Sequence, residues 1–410
     1  MKTDNLSAID EFITKGIEKD VHPVKSGKNI FWQNLKLAGT ELWLDTGDLE
    51  GASRLWTREM SALTTNNTLL NNEIQKGIYD DFILKANRLL GDLDLEERVV
   101  EIAFILNARH GLRLVHTFGA KVSVELHTDL AHDVEKSVFY AKRFHKFSPD
   151  RFIIKVPLTP SGYITTRRIR EMGIPVNFTL NFSARQNLIA TIFSKPSYVN
   201  VFLGRLNAYV IDNKLGDGNM VGEKTTLASQ QVVAEYSRRN AEPTRQIAAS
   251  LRDASQVSSL AGVDVFTMPL KVAREALETL DGSFVSHREN IYDVNLNPDA
   301  DQQAVRIGKL WNCSSRELDF ALDLDKDPPV TPDEFLERAY EYGLQDLFPQ
   351  MSTEDLAHIN SDGKITVHKK WQERIRKATC SIDALLNLSG LASFTADQYA
   401  LDEKIRKLIA

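Results

Sequence analysis

Cysteine is scarce in this chain of 410 residues, and the two that occur, Cys313 and Cys380, form no closely spaced pair. Disulfide frameworks and cysteine zinc sites both need several cysteines at characteristic spacings. The sequence therefore argues against both. We expect a protein of a reducing compartment, the cytoplasm.

Long hydrophobic runs are also missing. No uncharged apolar stretch approaches the ~20 residues that span a bilayer, and the segment MKTDNLSAIDEF at the start of the chain lacks the apolar core of a secretory signal. Positive charge is not in excess, because 50 Lys and Arg residues stand against 56 Asp and Glu residues, for a formal net charge of -6. These absences argue against a membrane or a nucleic acid as the main partner.

A glycine-rich phosphate loop at the start of a helix that follows an early strand is absent as well. A dinucleotide-binding fold therefore has no support, and we predict no cofactor.

The chain does contain a regular alternation of short β-rich segments with longer helical patterns. The predicted strands are 41–45, 61–65, 121–126, 151–156, 175–180, 197–202, 244–250 and 264–268. Predicted helices between and after them include 71–90, 96–111, 133–144, 165–173, 184–194 and 270–280. Eight strands separated by helices indicate an α/β fold, a closed (β/α)₈ TIM barrel, with an open parallel sheet as the alternative.

This alternation stops near residue 285, which predicts a chain of three parts. Residues 1–40 are an N-terminal helical segment, with a helix over 6–17, and residues 41–285 are the catalytic barrel. Residues 286–410 are a C-terminal, mostly helical extension that packs on the barrel and offers a surface for a possible homodimer.

Within the extension, the sequence predicts an acidic, turn-rich linker over 322–335. It also predicts helices over 332–343, 368–378 and 397–410, whose apolar residues recur at helical spacing.

Candidate functional residues lie at the carboxyl ends of seven consecutive predicted strands, which is where barrel enzymes carry their chemistry. They are Asp45, Asn66, Glu125, Lys155, Asn177, Thr179, Phe202, Arg205, Ser250 and Arg252. A barrel with a purely structural role would not need a reactive or polar group at each of these strand ends.

Lys155 is the most informative of them, because it interrupts the apolar strand FIIKVP. The period of two places Ile153 and Lys155 on one face and Ile154 and Val156 on the other, and neither face of a barrel strand is open to solvent. Burial favours the neutral amine, which is the form that attacks a carbonyl to give a Schiff base. The structural alternative is a buried ion pair of Lys155 with Glu125 or Asp45.

Schiff-base chemistry needs proton transfer at the carbinolamine and at the carbon–carbon bond, and Asp45 and Glu125 are the two acids in place for these steps. Helix capping or a salt bridge to Lys155 is their alternative role. Asn66, Asn177 and Thr179 are suited to hydrogen-bond substrate hydroxyls, or to satisfy loop backbone groups.

Arg205 and Arg252 follow neighbouring strands and, with Ser250, make a candidate phosphate site, for which surface salt bridges are the alternative. A competing metal site would be formed by Glu125, His127 and Asp129. No second set of histidine and carboxylate ligands appears at another strand end, so we predict no metal and interpret His127 as a loop residue.

Together these segments resemble the transaldolase family, in the family's order and at suitable spacing over about residues 41–285. The matching segments are LDTGDL (44–49), LTTNNTL (63–69), VSVEL (122–126), FIIKVPLTPSG (152–162), IPVNFTLNFSARQ (174–186), VFLGRLNAYV (201–210) and AASLRDASQVSSLAGVDVFTMP (248–269). In addition, FTADQYALDEKIRKLI (394–409) resembles the family's closing helix.

The resemblance implies a (β/α)₈ barrel in which Lys155 is the Schiff-base lysine and Asp45 is the acid/base at carbon–carbon cleavage. It implies that Glu125, with Thr179 and a water, handles the carbinolamine protons.

By the same resemblance, Asn66 and Asn177 hold the dihydroxyacetone hydroxyls, and Phe202 lies beside the Schiff base. Arg205, Ser250 and Arg252 form the phosphate site. Glu125 with Phe202 resembles transaldolases, whereas the related fructose-6-phosphate aldolases carry Gln and Tyr at those positions.

The sequence departs from the family pattern at several positions. Asn67 replaces a usual proline, and Asn200 and Val201 replace a usual Ser-Pro pair, which changes one hydroxyl of the phosphate site. Asn181 is an unusual polar residue, and residues 286–393 match no family segment.

The activity so implied is transfer of a dihydroxyacetone unit from sedoheptulose 7-phosphate or fructose 6-phosphate to glyceraldehyde 3-phosphate or erythrose 4-phosphate. This is a step of the non-oxidative pentose phosphate pathway. The alternatives are a related Schiff-base aldolase with a different acceptor, and a non-catalytic binding barrel.

Overall fold

The computed structural model describes residues 3–238, 240–298 and 300–410. Eight parallel strands close into a barrel in which each strand pairs with the next and the last pairs with the first. The strands are β1 (Glu41–Asp45), β2 (Met60–Thr64), β3 (Lys121–Glu125), β4 (Phe152–Pro157), β5 (Val176–Thr179), β6 (Tyr198–Phe202), β7 (Arg245–Ala249) and β8 (Val265–Pro269). The predicted (β/α)₈ barrel is confirmed, and each strand lies within a residue or two of its predicted bounds.

Helices precede and surround the barrel. Before β1 lie α1 (Thr3–Thr14), α2 (Ile17–Asp20) and α3 (Ile30–Leu37). Around the strands lie α4 (Leu49–Leu55), α5 (Asn67–Gln75), α6 (Asp80–Leu89), α7 (Leu95–Phe118), α8 (Val134–Phe147), α9 (Pro160–Glu171), α10 (Ala184–Ile189), α11 (Leu203–Asp212), α12 (Val221–Ser237), α13 (Ala254–Ser259) and α14 (Leu270–Thr279). A short 3₁₀ turn (Thr128–Leu130) follows β3, and a π turn (Ala190–Ser194) continues α10.

The extension consists of helices joined by short loops. They are α15 (Gln302–Val305), a 3₁₀ turn (Ile307–Leu310), α16 (Ser315–Lys326), α17 (Pro332–Glu341), α18 (Thr353–Asp362), α19 (His368–Arg376) and α20 (Ile382–Ile409). No helix in the described ranges is both long and apolar enough to cross a bilayer. The division of the chain at residues 40 and 285 stays a prediction.

The alternation along each strand decides what lies inside the barrel. A compact interior cluster contains Trp43, Ala62, Ile153, Tyr198, Ile247, Ala249 and Val265. Ile154 and Val156, the other face of β4, belong to the larger core between strands and helices. The face that carries Ile153 also carries Lys155, so the strand periodicity alone turns this amine inward.

Several predicted helices have other bounds in the structure: the helix predicted over 6–17 is α1, Thr3–Thr14, and the one predicted over 96–111 continues to Phe118. Two further differences have local reasons. The pattern over 71–90 is two helices, because Gly77 adopts φ 81° between α5 and α6. The pattern over 165–173 begins earlier, at Pro160, because Thr159 caps α9 by accepting a 2.8 Å hydrogen bond from the Gly162 amide. Proline at the first helical position after a threonine cap is a strong start signal.

The predicted linker over 322–335 is wrong for its first part. Helix α16 runs to Lys326, and only residues 327–331 separate it from α17. Phe320, Ala321 and Leu324 form the buried side of α16, so its acidic residues are the solvent face of an amphipathic helix. A capping box between Ser314 and Glu317 starts this helix.

The last helix is much longer than the prediction over 397–410. Helix α20 spans 28 residues and begins at Ile382. Its first half is nearly continuously buried, with Ala384, Leu385 and Leu386 among the covered residues, so it carries no amphipathic period for a sequence pattern to show. Asn387 on this helix donates hydrogen bonds of 3.0 and 2.9 Å to the carbonyls of Leu158 and Leu180, which directly follow β4 and β5. The helix therefore crosses the carboxyl end of the barrel.

A fully buried arginine on α10 fixes the extension to the barrel. The guanidinium of Arg185 makes two 2.9 Å contacts with the Asp383 carboxylate and lies 3.1 Å from Asp346 and 3.5 Å from Glu317. Ser381 accepts a further 2.9 Å hydrogen bond. The three acids hold the pKa of Arg185 above its ordinary value despite burial. A buried charge is tolerated in this way only when it is paired and hydrogen-bonded.

Replacement of Arg185 by Met is expected to lower the free energy of unfolding by about 3–5 kcal/mol, since it leaves buried carboxylates without a counter-charge. Urea denaturation measures the change. Arg54→Ala, which breaks an exposed pair with Glu50 on α4, is the control and should cost no more than about 0.5 kcal/mol. Equal losses in the two variants would show that the Arg185 cluster does not hold the extension in place.

Candidate active site

A cavity of about 310 Å³ opens at the carboxyl end of the barrel, under α20. Nine of the ten predicted site residues line it, all except Glu125. The lining also includes Asn200, a departure from the family pattern, and residues without a role predicted from the sequence, namely Thr64, Thr68, Leu69, Ile247, Ala249, Leu251, Thr267, Pro269, Lys364 and Phe394.

Lys155 lies at the floor of this cavity, with its side chain 5% exposed. Its Nζ donates a 3.2 Å hydrogen bond to the Thr65 carbonyl and lies 3.9 Å from Oε2 of Glu125. The Phe394 ring centroid is 5.7 Å away. The separation from Glu125 is longer than a hydrogen bond, so the amine is buried without the tight ion pair that a purely structural lysine would form.

Asp45 ends β1 at the wall of the same cavity. Its Oδ1 accepts a 2.7 Å hydrogen bond from the Thr64 hydroxyl, which in turn lies 2.6 Å from the Thr267 hydroxyl. Burial raises the pKa of Asp45, and the nearby charges of Lys155 and Arg252 only partly oppose this. The helix-capping role considered for this aspartate belongs to Asp48, which caps α4.

Glu125 ends β3 beside Lys155, with which it is in register across the two strands, although it is not among the residues that line the cavity. It accepts a 3.2 Å hydrogen bond from the Asn67 amide. Burial raises the pKa of Glu125, opposed by Lys155 and reinforced by the charge of Asp45. The lysine therefore stands between two carboxyl groups that come from different strands and have separate hydrogen-bond partners.

Thr179 and the two asparagines complete the inner wall. The Thr179 hydroxyl is buried and has no hydrogen-bond partner in the described part of the chain. Asn177 donates 3.1 Å to Ser123 and accepts 2.9 Å from Asn200, one of the departures from the family pattern. Asn66 accepts 2.9 Å from the Leu69 amide, so it caps α5 while it lines the cavity.

Two arginines form the opposite wall with their charges unneutralised. Arg205 is 5% exposed, and neither it nor Arg252 forms a salt bridge or donates a side-chain hydrogen bond within the described residues. Burial, together with the charge of Arg252, lowers the pKa of Arg205 to about 10, against an opposing effect of Asp397. Burial also lowers the pKa of Arg252. The surface salt bridges considered for this pair are not what the structure shows.

The backbone brings the two arginine-bearing loops unusually close. A Cβ on Gly204 would lie 2.2 Å from the Ser250 carbonyl and 2.7 Å from the Arg252 side chain, so only glycine fits there. Ser250 itself adopts φ 64°, a conformation that costs a non-glycine residue energy and is found preferentially at functional sites. Arg205, Ser250 and Arg252 are thus gathered at one point by strained, close-packed backbone.

Aromatic rings enclose the upper part of the cavity. Phe202, at the end of β6, packs 5.6 Å from the Phe182 ring, and both Phe202 and Phe394 lie 5.8 Å from Cζ of Arg205. Phe394 begins the segment that resembles a family helix, but nothing in the sequence assigns it a role.

His127 lies outside the cavity, in the turn after β3. Its Nδ1 accepts a 3.2 Å hydrogen bond from the Asp129 amide, and Nε2 lies 3.3 Å from a carboxylate oxygen of Asp402 on α20. Among the described residues, no group of three or more His, Cys, Asp or Glu side chains is placed to hold a metal ion. These contacts fit the interpretation of His127 as a loop residue.

Replacement of Asp45 by Asn is expected to raise the melting temperature at neutral pH. An aspartate is neutral in both states below its unfolded pKa of about 3.9. As the pH rises through the raised folded-state pKa, ionisation opposes folding, and an uncharged Asn avoids this cost. The gain should shrink when thermal denaturation is repeated at a pH of about 4. Asp48→Asn is the matched control, and a pH-independent difference for Asp45→Asn would contradict the prediction.

Comparison with known proteins adds an independent line of evidence. Residues 42–306 match the family model described as transaldolase/fructose-6-phosphate aldolase. A transaldolase of Xanthomonas euvesicatoria pv. vesicatoria is 28% identical over 246 residues, which cover 58% of this chain and 74% of that protein. A transaldolase of Chlamydia muridarum is 28% identical over 245 residues, with 57% and 74% covered, and one of Nostoc punctiforme is 25% identical over 247 residues, with 58% and 73% covered. The match to more than half of the chain, on a closed eight-stranded barrel, shows that the chain belongs to the transaldolase/fructose-6-phosphate aldolase family.

Proposed function

We propose that this protein is a transaldolase that moves a dihydroxyacetone unit between sugar phosphates through a Schiff base on Lys155. The donor is sedoheptulose 7-phosphate or fructose 6-phosphate, and the acceptor is glyceraldehyde 3-phosphate or erythrose 4-phosphate, as in the non-oxidative pentose phosphate pathway. The observation that carries the proposal is a buried amine between two separately held carboxyl groups, opposite two arginines without salt-bridge partners.

The first half of the reaction attaches the donor. The neutral Lys155 amine attacks the C2 carbonyl of the ketose to form a carbinolamine, and loss of water gives the protonated Schiff base. The leaving hydroxyl needs a proton, and we assign its supply to Glu125 with the Thr179 hydroxyl and a bridging water. Burial raises the pKa of Glu125, so this carboxyl retains a proton to a higher pH than an exposed glutamate.

The second half breaks and remakes a carbon–carbon bond. Asp45 accepts the proton of the C4 hydroxyl as the C3–C4 bond breaks, its electron pair flows into the Schiff base, and the aldose leaves. The enamine that remains then attacks the aldehyde of the acceptor, and Asp45 returns its proton to the new hydroxyl. Addition of water to the resulting Schiff base reverses the first half and releases the new ketose from Lys155. The raised pKa of Asp45 makes its carboxylate a stronger base than an exposed aspartate.

The remaining residues of the cavity orient the sugar. Asn66 and Asn177 present amide groups for the hydroxyls of the dihydroxyacetone unit. Arg205, Ser250 and Arg252 form the phosphate site. The guanidinium of Arg205 is buried, whereas that of Arg252 is exposed at the cavity mouth and acts on Arg205 through its charge. Two such groups gain more from a dianion than from any single exposed carboxylate, which supports a phosphorylated substrate.

Trapping with borohydride tests the lysine directly. Incubation with fructose 6-phosphate and borohydride should leave a reduced three-carbon adduct on Lys155, located by peptide mass spectrometry. Lys155→Ala should give no adduct and no measurable transfer, whereas Lys121→Ala, which removes an exposed lysine at the start of β3, should behave as wild type. Absence of an adduct in the wild type, or its persistence in Lys155→Ala, would contradict the proposal.

A second candidate is a Schiff-base aldolase with a different acceptor, or one that releases free dihydroxyacetone. The observations behind it are Asn200, which holds Asn177 where the family has a different residue, and an extension that reaches the cavity. Glu125 with Phe202, the pair that resembles transaldolases, favours the first candidate.

A transfer assay separates the two candidates. With fructose 6-phosphate as donor, we expect three-carbon transfer to erythrose 4-phosphate or glyceraldehyde 3-phosphate to exceed release of free dihydroxyacetone at least roughly tenfold, a difference of about 1.4 kcal/mol in barrier. A Glu125→Gln, Phe202→Tyr variant is the comparison and should shift the ratio toward release. Release as fast as transfer in the wild type would favour the aldolase.

A further inference from the structure

One lysine of the extension reaches the cavity from outside the region matched to the family. Lys364 lines the cavity together with Arg205 and Arg252, whereas the family match covers residues 42–306. Its side chain is exposed and forms no salt bridge or hydrogen bond within the described part of the chain. A free ammonium group at the edge of a cavity that already contains two unneutralised arginines needs an explanation, because like charges repel.

The loop that carries this lysine is held by the helix that carries Arg205. Asn213, directly after α11, donates a 3.0 Å hydrogen bond to the Thr366 carbonyl and accepts one of 2.7 Å from the His368 amide. The Tyr209 hydroxyl, on α11, lies 2.8 Å from Nδ1 of His368. Arg205 is in the first turn of the same helix. The loop and the arginine are therefore fixed to one rigid element.

The same loop is also held from its other side. Ser389, on α20, donates a 3.3 Å hydrogen bond to the Lys364 carbonyl. Asp362, at the end of α18, accepts 2.9 Å from the Val367 amide and pairs with Lys370. Both neighbours of the loop thus fix its backbone, so binding through Lys364 need only order its side chain and not the loop.

The charges around the cavity call for an anion. Lys364, Arg205 and Arg252 contribute three positive charges to this side of the cavity. Two carboxylates act on them, because Asp397 lies near Arg205 and Asp45 lies near Arg252. The two carboxylates carry at most two negative charges, and Asp45 also faces the charge of Lys155. Positive charge is therefore in excess on this side of the cavity, and a phosphate monoester dianion matches it in charge and in number of oxygen acceptors.

We propose that Lys364 is a substrate-binding residue that contacts the phosphate group of the sugar substrate, together with Arg205 and Arg252. The inference rests on the proposed function for the identity of the ligand. It assigns to the C-terminal extension a part in substrate recognition, through a loop clamped between α11 and α20.

Calorimetric titration with inorganic phosphate tests the binding role without any turnover. In Lys364→Ala the dissociation constant for phosphate should rise roughly 3- to 10-fold, as expected for loss of one partly exposed charge-assisted hydrogen bond. Lys369→Ala, which removes an exposed, unpaired lysine five positions away, is the matched control and should bind as wild type. Lys364→Arg should restore most of the affinity.

Kinetics distinguish recognition from a general structural effect. In Lys364→Ala, KM for fructose 6-phosphate should rise by a similar factor with kcat nearly unchanged, while borohydride trapping of unphosphorylated dihydroxyacetone on Lys155 stays at the wild-type level. Asn213→Ala, which frees the loop from α11, should reproduce the change in phosphate affinity. The double variant should show less than the sum of the two effects.

Equal phosphate affinity in Lys364→Ala and wild type overturns the inference, whatever the outcome of trapping. Failure of trapping in the wild type overturns the proposed function, and the phosphate titration then still decides the role of Lys364. The same loss in Lys369→Ala would assign the effect to the net charge of the extension and would also overturn it.

Discussion

The site at the carboxyl end of this barrel depends on buried charged groups that the protein neutralises only in part. Lys155, Glu125 and Arg205 are each withdrawn from water without the full set of partners that a buried ion needs. Such an arrangement is costly and persists only when the surrounding structure is rigid. The closed barrel supplies that rigidity, because each of these side chains is carried on or directly after a strand that is paired on both sides.

Two buried arginines show the difference between charge used for structure and charge available for binding. Arg185 is surrounded by carboxylates, and its pKa is held above the ordinary value. Arg205 is buried to a similar degree but faces another guanidinium, and its pKa is lowered to about 10. The first links the barrel to the extension and has no capacity left for a ligand. The second retains the ability to bind an anion, because among the described residues no carboxylate forms a salt bridge with it and only Asp397 acts on its charge from a distance.

The extension is therefore structurally part of the site, because it forms the upper wall of the cavity. The Arg185 cluster fixes the start of α20, which then passes over the ends of β4 and β5 and places Phe394 near Lys155. From the same extension, the loop with Lys364 is bound to α11. Without the extension, the upper wall of the cavity would be open to water, and the electrostatic effect of each charged group would be weaker.

Much of this arrangement was determined by the sequence alone. The alternation in FIIKVP turned Lys155 inward, and the order of polar residues at strand ends brought Asp45, Asn177 and Arg252 to one rim, because both features depend on local periods of two residues and on parallel strands. Only the tertiary structure decided what covers that rim. The first half of α20 is buried almost all round and α16 carries its buried face among acidic residues, so neither gave a usable pattern. Phe394 and Lys364 lie more than 200 residues from Lys155 along the chain, yet they line the same cavity. Contacts between residues so distant in sequence depend on how the helices and strands pack against each other, and no local periodicity of the sequence encodes that packing.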